Sequence, residues 1–207
     1  MNAKFSPSAK TIAVFDFDHT LVESDSFWPY LGYAAGWPKT IGAFGEGLAR
    51  LGARRFKDKA GWPETDIRTF LKAHLLSRLL AGRAESQLQD AAVKLTEWTT
   101  WKEPVRQALL DHAAAGHHIV IASGGLHLYL PELLKDLPHH GLICTEIGIL
   151  DGVITGEMVS GNCVRDRKAE LVAQYLSKHG PFEESWGYGN LPHDLPMLNL
   201  MKHRVII

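Results

Sequence analysis

The chain is poor in cysteine, has no excess of either charge and contains no long apolar run. Cys144 and Cys163 are its only two cysteines. They are too far apart for a Cys-x-x-Cys site and too few for a disulfide framework, so a reducing, cytoplasmic setting is expected. The 22 basic and 23 acidic residues leave a net charge of −1, so no global field draws in nucleic acid or an anionic membrane. No apolar run approaches the ~18 residues of a spanning helix, and the N-terminal residues lack a signal-peptide pattern, so no stable membrane insertion is expected. The local cluster Arg50, Arg54, Arg55, Lys57 and Lys59 reads as a solvated helix face rather than a polyanion site. Nothing in the sequence specifies an oligomeric state.

What remains is an ordinary globular composition. The 207 residues, 45% hydrophobic and 22% charged, suit a single large domain or a core with a small insertion. The chain is organised around Ile12-Ala13-Val14-Phe15-Asp16-Phe17-Asp18-His19-Thr20. An apolar run this short reads as a buried strand of a parallel sheet, whose carboxyl end is where open α/β folds place ligands. Alternate residues of a strand point to opposite sides, so Asp16 and Asp18 share one side and Phe17 turns toward the core. Two such carboxylates persist together when a cation lies between them or one carries a proton, and both conditions serve chemistry.

Downstream, a long stretch has helical spacing and no convincing strand. A first helix contains Trp28, Leu31, Tyr33 and Ala35 and is expected to end near Gly36 and Pro38. Others are expected over residues 41–53, over 65–80, opened by Pro63-Glu64-Thr65-Asp66 and ended by Gly82, and over 85–98. Phe27, Trp28, Tyr30, Tyr33, Trp37, Phe44, Phe56, Trp62 and Phe70 read as the core of a small helical bundle. Strands and helices then alternate: a helix from Glu103-Pro104 to Ala115, a strand at 119–122, a helix at 126–134 and a strand at 142–145. A hairpin over 147–155 turns at Asp151-Gly152; a helix at 167–178 and strands at 185–188 and 204–207 follow. This order predicts an α/β fold with a doubly wound parallel sheet.

Three further segments carry chemistry. Ser123-Gly124-Gly125 follows the second strand, where glycines let backbone N–H groups approach an anion and an immediately following helix adds its positive end. Arg165-Asp166-Arg167-Lys168 offers cations at a helix start. Gly187-Tyr188-Gly189-Asn190-Leu191-Pro192-His193-Asp194-Leu195-Pro196-Met197-Leu198 brings an amide and a carboxylate after another strand.

In this order the four segments resemble the motifs of the haloacid dehalogenase superfamily in its phosphatase form. Asp16-Phe17-Asp18-His19-Thr20 is similar to its first motif, and Ser123-Gly124-Gly125 to its second, in the form of phosphoserine phosphatases. The spacing from Gly161-Asn162-Cys163 selects Lys168 as the third. The fourth is similar in form, but Asn190 stands where the family usually has a carboxylate. The resemblance implies a core of residues 1–22 and 99–207, with a helical cap inserted at 23–98.

It further implies a phosphomonoester hydrolase in which Asp16 attacks phosphorus to form an aspartyl-phosphate, Asp18 acts as general acid and base, and Lys168 neutralises charge. Thr20, Ser123, Gly124 and Lys168 would hold the phosphate. Mg²⁺ would be held by Asp16, Asp18 (through its backbone carbonyl), Asn190 and Asp194, and the missing charge at Asn190 predicts weaker metal binding. A carboxylate at position 18 argues against dehalogenation, because halide leaves without a proton. The expected partner is a small-molecule phosphomonoester.

By analogy with phosphoserine phosphatases, Asp25 would hold a substrate amino group, with Glu23 a nearby competitor. Arg50, Arg54 and Arg55 are alternatives for a substrate carboxylate. A lipid phosphate of the phosphatidylglycerophosphate kind is a second substrate class, and a phosphate-binding or regulatory module that lost turnover is a different reading. His19, His127 and His193 lie near the motifs and read as supporting or surface residues. The pairs His117-His118 and His139-His140 are not spaced as a metal site.

Overall fold

The computed structural model describes residues 10–57 and 64–207, without the side chains of residues 54–57 and 64–66. β1 (Thr11–Phe15) is followed by four helices, α1 (Phe27–Ala35), α2 (Trp37–Lys57), α3 (Glu64–Leu79) and α4 (Ser86–Trp98). Next come α5 (Glu103–Ala114), β2 (His118–Leu126), α6 (Leu130–Leu133), β3 (Gly141–Thr145) and the antiparallel pair β4 (Ile147–Leu150) and β5 (Val153–Met158). The chain continues through α7 (Arg165–His179), β6 (Glu184–Gly189), α8 (Leu195–Leu198) and β7 (His203–Ile206).

Five strands form one parallel sheet in the order β3-β2-β1-β6-β7, with β1 at its centre. Phe15, the last residue of β1, pairs with Ile121 on one side and Tyr188 on the other. Alternation along β1 sends Ala13 and Phe15 into one core with α5 residues Val105 and Leu109, and Ile12 and Val14 into a second with Val172 of α7 and Met197 of α8. Both faces of the strand are therefore buried, which is the doubly wound arrangement. Asp16 continues the parity of Ile12 and Val14 and so faces the α7 side. The Asp151-Gly152 turn has φ of 50° and 75° at its two residues, the geometry an Asp-Gly hairpin supplies.

Three local expectations are corrected. The first helix ends near Gly36 as expected, at φ 88°, and Pro38 sits in the first turn of α2, where its missing N–H costs nothing. That helix runs over 37–57 rather than 41–53. The 126–134 helix is reduced to Leu130–Leu133, because β2 stays extended through the two glycines and Leu126 pairs with Thr145. No helix therefore begins at Ser123-Gly124-Gly125. The one-turn α8 was not anticipated.

Of the aromatics assigned to a helical core, Tyr30 is fully buried, while Phe27, Trp28 and Phe44 pack edge to face with ring centroids 5.9 and 5.1 Å apart. Tyr33 and Trp37 are exposed. Lys59 and Trp62, and the side chains of Arg54, Arg55, Phe56 and Lys57, lie outside the described residues.

Candidate active site

The C-terminal ends of β1, β2 and β6 open into a cavity of about 570 Å³ roofed by α1 and α3. Asp16, Asp18, Asp25, Gly124, Lys168, Asn190 and Asp194 line it together. Thr20 and Ser123 are fully buried just behind the wall. The Thr20 hydroxyl donates to Asp16 Oδ2 at 2.7 Å, and Ser123 Oγ accepts from Gly125 N at 2.8 Å.

Lys168 projects from the first turn of α7 and donates to Asp16 Oδ1 at 2.6 Å and Asp194 Oδ1 at 2.7 Å. Burial works to lower its pKa, but the two carboxylates outweigh it and hold the ammonium above the ordinary lysine value. Burial pushes the Asp16 carboxyl up, with Lys168 opposing. Asp194 is fixed by a second bond, from Asn190 N to Oδ2 at 2.9 Å. This approach requires Gly189, where a Cβ would fall 2.7 Å from that of Asp194.

Asn190 Nδ2 lies 3.4 Å from Asp16 Oδ2 and 3.3 Å from both the main-chain O of Asp18 and Thr20 Oγ1. Three oxygens thus surround the amide nitrogen, and of these the Asp16 carboxylate and the Asp18 carbonyl are hard donors of the kind a divalent cation takes. Rotating the amide by half a turn would add Asn190 Oδ1 to the set, since the two amide ends occupy equivalent positions. Among the described residues no cluster of three His, Cys, Asp or Glu side chains is placed to hold a metal.

Asp18 Oδ1 accepts from Ser26 N at 2.8 Å. Burial, with Asp25 adding repulsion, pushes the Asp18 carboxyl up to about 7. Asp25 Oδ1 accepts from Phe27 N at 2.9 Å just before α1, and Asp25 lines the cavity together with α3 residues Arg68 and Lys72.

Lys72 was not anticipated. It reaches inward from α3 and donates to the carbonyl of Gly124, to Asn162 Oδ1 at 2.9 Å and to Thr145 Oγ1 at 3.3 Å. Burial lowers its ammonium to about 8, against the pull of Asp18 and Asp25. Arg68, Asn162 and Arg165 also line the cavity without having been singled out. Arg50 does not contribute, since it pairs with Glu46 at 2.7 Å on α2. Of the histidines considered, His19 and His193 line the cavity, whereas His127 accepts from Ile147 N at 3.1 Å and braces β4.

The haloacid dehalogenase-like hydrolase family model matches residues 13–199. The chain belongs to that family. Among curated proteins it is 25% identical over 190 residues to the phosphoserine phosphatase SerB2 of Mycobacterium tuberculosis, covering 91% of this chain and 42% of that protein. It therefore spans less than half the length of that relative. It is 23% identical to the histidinol-phosphatase of Neisseria meningitidis, covering 96% and 90% of the two chains. Among solved structures, a protein of unknown function from Bordetella pertussis Tohama I superposes with a TM-score of 0.71 at 20% identity, covering 96% and 90%. The haloacid dehalogenase-like fold accounts for the position of all four motifs at the sheet's carboxyl end. No helix among the described residues is long and apolar enough to cross a membrane.

Proposed function

We propose that the chain is a phosphomonoester hydrolase working through an aspartyl-phosphate on Asp16, with α1–α4 acting as a cap over residues 23–98. The observation that carries this reading is the setting of Asp16. It stands at the end of the central strand, 2.6 Å from a buried ammonium, with a second carboxyl, Asp18, kept near neutrality on the same rim.

The convergent oxygens fit Mg²⁺: one carboxylate from Asp16, the Asp18 carbonyl and the Asn190 amide, with Asp194 behind them, match a cation that takes few protein carboxylates and completes its shell with water and phosphate. Bound there, Mg²⁺ supplies positive charge beside the transferring phosphoryl group. In the first step an Asp16 oxygen forms a bond to phosphorus while the ester P–O bond breaks, and Asp18 gives its proton to the leaving alkoxide. In the second step Asp18 takes a proton from water as the water oxygen attacks phosphorus. Inorganic phosphate leaves and the Asp16 carboxylate is restored. Lys168 stays charged throughout and offsets negative charge on Asp16 and the phosphoryl oxygens.

The cavity favours a substrate carrying an amine and a second anion. Asp25 offers a carboxylate to the amine. Lys72 is a half-buried ammonium on the cavity wall whose hydrogen bonds go to neutral oxygens, with no carboxylate at ion-pair distance among the described residues. Its donors are already taken by neutral oxygens, so a ligand anion near it is drawn by the charge rather than by a free N–H. Phosphoserine meets both demands. Hydrolysis of p-nitrophenyl phosphate across a Mg²⁺ titration tests the reading: turnover that requires the metal and vanishes in Asp16→Asn supports it. No turnover at any Mg²⁺ concentration overturns it in favour of a phosphate-binding module.

A further inference from the structure

Asn162 sits in the loop between β5 and α7 and is buried. Its amide joins three elements. Oδ1 accepts from Lys72 Nζ at 2.9 Å and lies 3.3 Å from Thr145 Oγ1 at the end of β3, while Nδ2 donates to Thr69 Oγ1 at 3.2 Å on α3. Thr69 and Lys72 are three residues apart on one helix and so share a face. Asn162 grips that face with both ends of its amide.

The orientation of the amide is fixed by this arrangement. With Thr69 accepting from Nδ2, Oδ1 must face Lys72. The flipped amide would put an NH₂ group against an ammonium that has no acceptor capacity. Thr145 is held in turn, because its hydroxyl lies 2.9 Å from the Gly124 carbonyl and accepts from Cys163 N at 3.1 Å. The three donors of the Lys72 ammonium are thereby directed at three fixed neutral acceptors, and the charge is presented to the cavity at one position.

We propose that Asn162 is a specificity-positioning residue: by fixing Lys72 it sets the preference for phosphomonoesters that bear a second negative charge, without touching the phosphoryl group. This rests on the phosphatase reading and on Lys72 facing the ligand. The geometry distinguishes it from a plain structural bond. A lysine released from Asn162 keeps its charge but spreads it over many rotamers, so it loses affinity for one anion position rather than for phosphate.

The test uses the full chain and a matched pair of ligands. O-phosphoserine and phosphoethanolamine differ by one carboxylate. Each is measured as a competitor of p-nitrophenyl phosphate hydrolysis, and the ratio of the two inhibition constants is compared between wild type and variants. Losses common to both ligands cancel in this ratio. Wild type binds phosphoserine more tightly, and Asn162→Ala reduces the ratio about five- to tenfold. Asn162→Asp reduces it at least as far, because its carboxylate takes up the Lys72 charge. Thr69→Val, which releases only the far end of the amide, reduces it less and serves as the readout if an Asn162 variant fails to fold. A ratio unchanged in the folded variants overturns the proposal, as does a wild-type ratio near one. Absence of p-nitrophenyl phosphate turnover in wild type instead removes the phosphatase reading itself.

Discussion

The side-chain nitrogen of Asn190 stands 3.3 Å from the main-chain oxygen of Asp18, so an amide occupies the point on which the oxygens of the first motif converge. Asn190→Asp replaces a neutral group by a carboxylate at that point. The Mg²⁺ concentration for half-maximal activity is expected to fall about tenfold, the effect of roughly 1.4 kcal/mol of added attraction. Stabilisation of the protein by Mg²⁺, followed by thermal melting without substrate, should rise in parallel. An unchanged Mg²⁺ dependence in both assays would remove Asn190 from the metal site.

On the proposed reading Lys72 supplies the anion preference, and burial lowers its ammonium to about 8. Lys72→Met should cut the preference for phosphoserine over phosphoethanolamine by about tenfold. In wild type the same preference should fade as pH rises through about 8, because the lysine is charged below its pKa and neutral above it. Competition constants measured from pH 6.5 to 9 check both statements.

Lys168 bridges two buried carboxylates, so its removal leaves like charges facing each other without a counter-ion. Lys168→Met is expected to abolish turnover and to destabilise the fold by about 3 kcal/mol, read by urea denaturation at neutral pH. Lowering the pH should recover part of that loss, because protonating Asp16, whose carboxyl burial already pushes up, relieves the repulsion.

At the opposite end of the sheet His118 is buried, with Nε2 at 2.8 Å from the Tyr175 hydroxyl and its ring stacked on His140. Burial, reinforced by His140 and His179, lowers it to about 4 from an ordinary 6.5. The unfolded chain therefore binds a proton near pH 6.5 that the folded chain refuses until about pH 4, so stability drops as pH falls across that window. His112 and His140 are shifted in the same direction, chiefly by burial. Melting temperature should decline from pH 7 to 4.5, and His118→Gln should flatten the decline.

The centre of the parallel sheet was legible because β1 and β2 carry short apolar runs bounded by charge or Gly, a signal carried by neighbouring residues. Asp16 and Asp18 stood out at the end of the first strand, Lys168 and Asp194 only through the resemblance of their segments to the family's motifs, and the structure brings all four around one cavity. Lys72 left no such trace. On α3 it has the same local context as an exposed lysine, and only the packing of that helix over β5, with Asn162 and Thr145 beneath, turns it inward. The short α6 and α8 are single turns whose existence depends on tertiary contacts rather than on helical periodicity. The helix expected after Ser123-Gly124-Gly125 failed for a related reason: pairing of Leu126 with Thr145 keeps β2 extended where local pattern favours a helix.

The most direct test of the mechanism is the covalent step itself. Protein mixed with a phosphomonoester and Mg²⁺, quenched in acid within a turnover and digested, should yield a phosphorylated peptide with the phosphoryl group on Asp16, absent from Asp16→Asn. Turnover without an adduct on Asp16, or turnover retained in Asp16→Asn, would contradict the account.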